Sequence, residues 1–213
     1  MRITNRQMEW FRILALISAA VCLTALLSHF IRIVRAGKPV DYALRAGDTT
    51  RGIIYSISGA MSPTKKESAY LHLPTYTAGI IYHLGTFLSL LLFIILLAGF
   101  TPSGTLSLVI SLLLAVSTLA GLMILVKRFL NNELRSLSNP DDYISNLLVT
   151  LFHLMTIAVL NFEGARVFYF LEASLLLLYL PVGKLRHTIY FFAARYHLGY
   201  FFGYRGTWPP VKQ

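Results

Sequence analysis

The chain has 213 residues, 56% of them hydrophobic and only 13% charged, with a mean hydropathy of +0.64. That composition excludes an ordinary soluble domain and predicts an all-α polytopic membrane protein. The single cysteine, Cys22, lies in an apolar run, which excludes a disulfide framework, a thiolate iron–sulfur cluster built by this chain alone, and c-type haem attachment. The net charge of +10 sits between apolar runs and not on one soluble face, so it reports topology, not nucleic-acid binding.

In chain order, Trp10 to Val34 is a retained first span, since no small-residue cleavage site follows a short apolar core. Residues 35 to 73 form a polar loop with short surface helices, rich in glycine and carrying Lys38-Pro39 and Ser62-Pro63. Pro74 to Phe100 is the second span, Thr101 to Thr105 a tight turn, and Leu106 to Val126 the third span. A second polar loop ends at Asn139-Pro140-Asp141, which has the chemistry of a helix start, so the fourth span is Tyr143 to Leu160. After the Asn161 to Gly164 turn, a fifth helix runs from Arg166 to Arg195 into a basic, aromatic tail over 196–213. The whole is expected to be one membrane domain, a five-helix bundle.

Fifteen of the nineteen Lys and Arg residues fall on one side of this topology, and only Arg2, Arg6, Arg12 and Arg166 oppose them. Cations flanking short loops stay in the cytoplasm, so the amino terminus is expected outside and the carboxyl terminus inside. The external turns are too short to seat a large partner. Docking is expected on the 35–73 loop and the tail.

The six histidines carry the chemistry. His83, nine residues past Pro74, lies roughly 13 Å inside its span at 1.5 Å per residue. A neutral imidazole there calls for a partner or a metal. Gly79, one turn earlier on the same face, would let a flat macrocycle approach. His187 follows Leu180-Pro181-Val182-Gly183-Lys184-Leu185-Arg186. If the fifth helix continues to Arg195, His187 lies about 12 Å from that end and shares the depth of His83. Two antiparallel helices would then offer a bis-imidazole haem site, with Lys184 and Arg186 facing the propionates. The bland alternative is an interfacial anchor whose cations snorkel to head groups.

His153 in the fourth span and Glu172 in the fifth are either satisfied interior groups or part of a quinone and proton site, with Asn146 two turns from His153. His29, His72 and His197 are expected at surfaces. A second haem between His72 and His197 is the less favoured possibility.

The Tyr82-His83-Leu84-Gly85 setting on the second span and the Leu-Pro-Val-Gly-Lys-Leu-Arg-His run ending at His187 resemble the gamma-subunit family of respiratory nitrate reductase. The stretch from Ser62 to His83 is more similar to the membrane cytochrome b subunits of heterodisulfide-reductase-like and sulfate-reducer transmembrane complexes. The resemblance implies electron transfer between a menaquinone or ubiquinone pool and a cytoplasmic iron–sulfur subunit through b haems. It also implies an outer haem, but the positions of its two ligands fall here on Phe93 and Tyr169. One b haem, held by His83 and His187, is therefore expected. The alternative of another class is a haem-free structural subunit or small transporter.

Overall fold

The computed structural model describes residues 9–37, 41–62, 65 and 72–210. Among them there is no strand. The helices are α1 (Trp10–Ala36), α2 (Thr49–Ile57), α3 (Leu73–Leu97), α4 (Thr105–Leu130), α5 (Asn132–Ser136), α6 (Pro140–Asn161), α7 (Arg166–Tyr179) and α8 (His187–Tyr204). Four of these, α1, α3, α4 and α6, are long and apolar enough to cross a membrane, and there are five if α7 and α8 count as one broken span.

Helix ends follow local chemistry. α3 stops where Gly99 takes φ +91° and the N–H of Phe100 returns to the Ile95 carbonyl at 3.1 Å. α6 opens on a capping box, in which Asn139 accepts from the Asp142 N–H at 3.1 Å and Asp142 accepts from the Asn139 N–H at 3.0 Å, with Pro140 at the first helical position.

The fifth helix differs from the expectation. It is not continuous from 166 to 195: α7 ends at Tyr179, a turn follows in which the N–H groups of Val182 and Gly183 both reach the Tyr179 carbonyl, and a 3₁₀ turn over Lys184–Arg186 leads into α8. Pro181 explains the break, since it has no N–H to donate and its ring would collide with the carbonyl four residues back. At 14 residues α7 is about 21 Å long, short of a hydrocarbon core of about 30 Å. With the helix broken, the depth of His187 is not fixed by counting back from Arg195. α8 also runs past Arg195 to Tyr204, so much of the expected tail is helix.

By its internal contacts the chain divides into two compact units, residues 1–23 with 74–185, and 24–73 with 186–213. The first gathers the amino-terminal half of α1 with α3 to α7. Half of the apolar window of α6 is buried against 17% in α1, which makes α6 the enclosed helix of this unit. Leu92, Ile110, Leu114 and Leu160 form an aliphatic cluster. Phe11 and Phe93 both pack on Phe170, and Phe152 stacks on Tyr169 at 5.9 Å. Small residues let helices close in: a Cβ on Gly85 would lie 2.0 Å from the Ser117 Oγ, and one on Gly121 would lie 2.4 Å from the Tyr82 ring.

In the second unit, α2 is a short helix of the kind expected within the 35–73 segment. α2 is capped by Asp48, which accepts from the N–H groups of Thr50 and Arg51. It lies against α8 nearly backbone to backbone. A Cβ on Gly52 would sit 2.3 Å from the Gly199 carbonyl oxygen and 2.5 Å from the Gly203 Cα. Just before α2, the N–H groups of Ala46 and Gly47 donate to the Tyr204 carbonyl at 2.9 and 3.1 Å. Arg205 forks onto both oxygens of Asp41 while stacking 3.7 Å from the Phe201 ring centroid. The Ala43 N–H at 3.0 Å holds the Asp41 carboxyl below the ordinary carboxylate range; partial desolvation opposes this and the Arg205 guanidinium adds to it.

Candidate functional site

His83 lies on the exposed face of α3 with Ile80, Leu84 and Phe87. Its Nδ1 is 2.7 Å from the Gly79 carbonyl oxygen. A carbonyl only accepts, so Nδ1 carries the hydrogen, and in the neutral ring Nε2 holds the lone pair. A backbone carbonyl that fixes the tautomer in this way is the usual outer support of a metal-binding imidazole. Beside it a Cβ on Gly79 would meet nothing within 4 Å, so the flank of the imidazole is open. His29 makes the opposite arrangement. Arg32 Nη2 lies 3.2 Å from its Nδ1, and a guanidinium only donates, so Nδ1 accepts and the lone pair is used internally.

His187 is the first residue of α8 and is exposed. It belongs to the second unit and His83 to the first. Arg186 sits 6.0 Å from the Tyr190 ring centroid. Lys184 donates to Asp142, whose side chain is only 4% exposed and which also has Arg128 at 3.6 Å. The counter-charge expected from a haem propionate is thus supplied to Lys184 by the chain itself. Tyr179 donates to the neighbouring Asp141, which also accepts from the Ser145 hydroxyl at 3.1 Å. Sequence reasoning passed over this carboxylate pair because Asp141 and Asp142 read as the first turn of a helix. Their partners lie about forty residues on and appear only when α6 and α7 pack.

His153 and Asn146 meet in one buried network between α3, α4 and α6. His153 is fully enclosed. The Thr86 hydroxyl donates to the Tyr82 carbonyl at 2.8 Å, so its oxygen is left to accept from His153 Nε2 at 3.2 Å. The Ser117 hydroxyl lies 3.4 Å from the other ring nitrogen. Tyr82 Oη touches the Asn146 carbonyl and the Thr150 hydroxyl, each at 2.9 Å, and the Asn146 amide donates to the Gly121 carbonyl at 3.3 Å. Both His153 nitrogens thus face hydroxyls, which tie α6 to α3 and α4. Tyr82, Thr86, Ser117 and Thr150 were not singled out from sequence. The signal was there in Gly85 and Gly121, whose missing side chains make the space.

Glu172 is a different case. It is 7% exposed, and neither carboxyl oxygen has a hydrogen-bond partner among the described residues. Phe93 and Tyr169, where the resemblance would put outer haem ligands, are 5% and 0% exposed within the aromatic core, so protein side chains fill that region. His72 is exposed beside the start of α3, and His197 packs on Gly37, where a Cβ would lie 3.2 Å from its ring. Among the described residues no three His, Cys, Asp or Glu side chains converge on one metal position. A porphyrin brings four nitrogens and asks the protein for only two axial ligands.

The chain matches no family model, no curated protein and no solved structure.

Proposed function

We propose that this chain is the haem b-carrying membrane subunit of a respiratory redox complex, exchanging electrons between a menaquinone or ubiquinone pool and a cytoplasmic iron–sulfur subunit. The observation that carries the reading is His83: a mid-span imidazole with its tautomer set by Gly79, an Nε2 lone pair, and an open flank on an otherwise apolar face. On the sequence pattern, His83 and His187 are the residues proposed to hold the haem. Bound haem would supply a one-electron redox centre; the chain supplies ligand orientation and apolar shielding from water. The residues fit one such group at His83, whereas the filled core at Phe93 and Tyr169 does not fit a second. The proposed orientation places the amino terminus outside, with the 35–73 segment, α8 and the carboxyl terminus toward the cytoplasmic partner, on the fifteen-to-four cation asymmetry. A haem-free packing bundle is the competing reading, and the closed His153 network is what favours it.

A reduced-minus-oxidised spectrum of the purified chain decides between them. One low-spin b haem per chain is expected by pyridine haemochrome, lost in His83→Ala and in His187→Ala and retained in His72→Ala and His197→Ala. A chain purified without haem from haem-replete cells would sink the reading. Two haems, one of them lost in His72→Ala, would move the second site to the inner edge.

A further inference from the structure

Most buried polar groups of the first unit are hydrogen-bonded, Ser107, Thr156 and Ser174 to backbone carbonyls among them. Those grouped around His153 toward the 140 end of α6 have partners: Tyr82, Asn146, Thr150 and Ser117 close on one another and on backbone carbonyls. Among the described residues of this unit, the buried side-chain atoms without a hydrogen bond are Arg12 Nε, Ser89 Oγ, Tyr169 Oη and the two Glu172 oxygens. Tyr169 is three residues before Glu172 on α7, so the two share a face, and its hydroxyl is within electrostatic reach of the carboxyl. That hydroxyl lies beside Thr156 without hydrogen-bond geometry. Glu172 is six residues from the start of α7, about 9 Å along the axis.

The charged and titratable groups on the elements packed around α7 leave Glu172 without a counter-ion. α6 contributes Asp141 and Asp142, which are taken up by Tyr179 and Lys184 at the far end of α7, and His153, whose nitrogens face Thr86 and Ser117; the 3₁₀ turn before α7 contributes Glu163, an acid and so no counter-ion. The amino-terminal half of α1 contributes Arg12, held 5.9 Å over the Phe170 ring and 3.6 Å from Glu9. α3 beyond His83 contributes none. On α7, Arg166 lies at the first position and reaches toward Thr101. A lone carboxylate inside a span is expensive, and such a group is kept for a purpose that needs it.

We propose that Glu172 is a reversible proton-binding site inside the first unit, taking one proton onto a carboxyl oxygen and returning it to the side of the bundle from which α7 begins. The step is proton transfer alone: an O–H bond forms at Glu172 as one breaks on hydronium or on a proton-bearing hydroxyl donor, and the reverse occurs on release. It stands independently of haem ligation, because no atom of His83 or His187 takes part.

Infrared spectroscopy of the full chain in detergent or nanodiscs tests it. A carboxylic acid C=O band should be present at low pH, shift in D2O, titrate away as pH is raised within the range where the helices persist, and be missing from Glu172→Gln. Glu172→Asp should keep a band with a displaced midpoint, which covers the case in which the glutamine variant does not fold. No such band at any pH, or one that neither titrates nor exchanges its proton in D2O, overturns the proposal. A haem spectrum recorded on the same samples keeps the two readings separate: Glu172→Gln should leave the haem unchanged, and loss of haem in the wild type would leave the infrared result standing.

Discussion

The first unit holds its helices together side chain to side chain, and the second does so backbone to backbone. Around His153, hydroxyl, imidazole and amide groups of α3, α4 and α6 satisfy one another where a stripped Gly85 and Gly121 make room. Between α2 and α8 the glycines do more: Gly52, Gly199 and Gly203 remove the side chains altogether, and the contact is carbonyl on Cα. Charge follows the same division. Segments 24–73 and 186–213 hold eleven Lys and Arg against three Asp and Glu, +8 of the chain's +10. A helix in lipid gains little from burying apolar surface against another helix, so polar networks and close small-residue contacts are what specify its neighbours. The second unit concentrates cations and aromatic rings at its surface, including Arg195 over Phe191 and Lys65 over Tyr55. That is the surface expected of the end that meets head groups or a soluble partner.

The largest effect is expected from a side chain placed between α2 and α8. Gly52→Leu or Gly203→Leu should cost about 3 kcal/mol by overpacking, because the obstructing atoms are backbone and cannot rotate away. Limited proteolysis should then cut within 41–62 while the thermal unfolding of the first unit is unchanged. Joint unfolding of both would mean that the division is not real.

Next in size is His153→Ala, which should destabilise the first unit by about 2 to 3 kcal/mol, from the cavity and the lost contacts to Thr86 and Ser117, whose hydroxyls keep only their bonds to backbone carbonyls. Denaturant unfolding in mild detergent measures it. A near-neutral result would show that the network tolerates the loss and would return His153 to a ligand-binding role.

Asp142→Ala should cost about 1 to 2 kcal/mol, because it removes half of a capping box and the carboxylate shared by Lys184 and Arg128. If Asp142→Asn, which keeps an acceptor for the Asn139 N–H, recovers most of the stability, the cap dominates; if it recovers little, the ion pair does.

The smallest effect belongs to Asp41 in the second unit. Its folded carboxyl is held below its unfolded value, so its contribution is complete above the ordinary Asp range and disappears as pH falls through the lowered value. The acid limb of the proteolysis profile of the second unit should therefore flatten in Asp41→Asn, with no change in the first. An unchanged limb would assign it to another carboxylate.

Period and length of the apolar runs were enough to place α1, α3, α4 and α6, because burial in lipid is a property of each segment taken singly. Asn139-Pro140 announced the start of α6 for the same local reason. The depth of His83 and the open flank at Gly79 also follow from spacing along one helix. What spacing could not decide was anything that depends on a second segment. Pro181 was visible and by itself accounts for the break, but that Lys184 just beyond it pairs with Asp142 of another helix was not. The closed surroundings of His153 and the partnerless carboxyl of Glu172 look alike in sequence, each a lone titratable residue in an apolar run. Only packing separated them, since a hydrogen bond between helices requires two backbones to approach within about 10 Å, and the residues that permit it are glycines dozens of positions away.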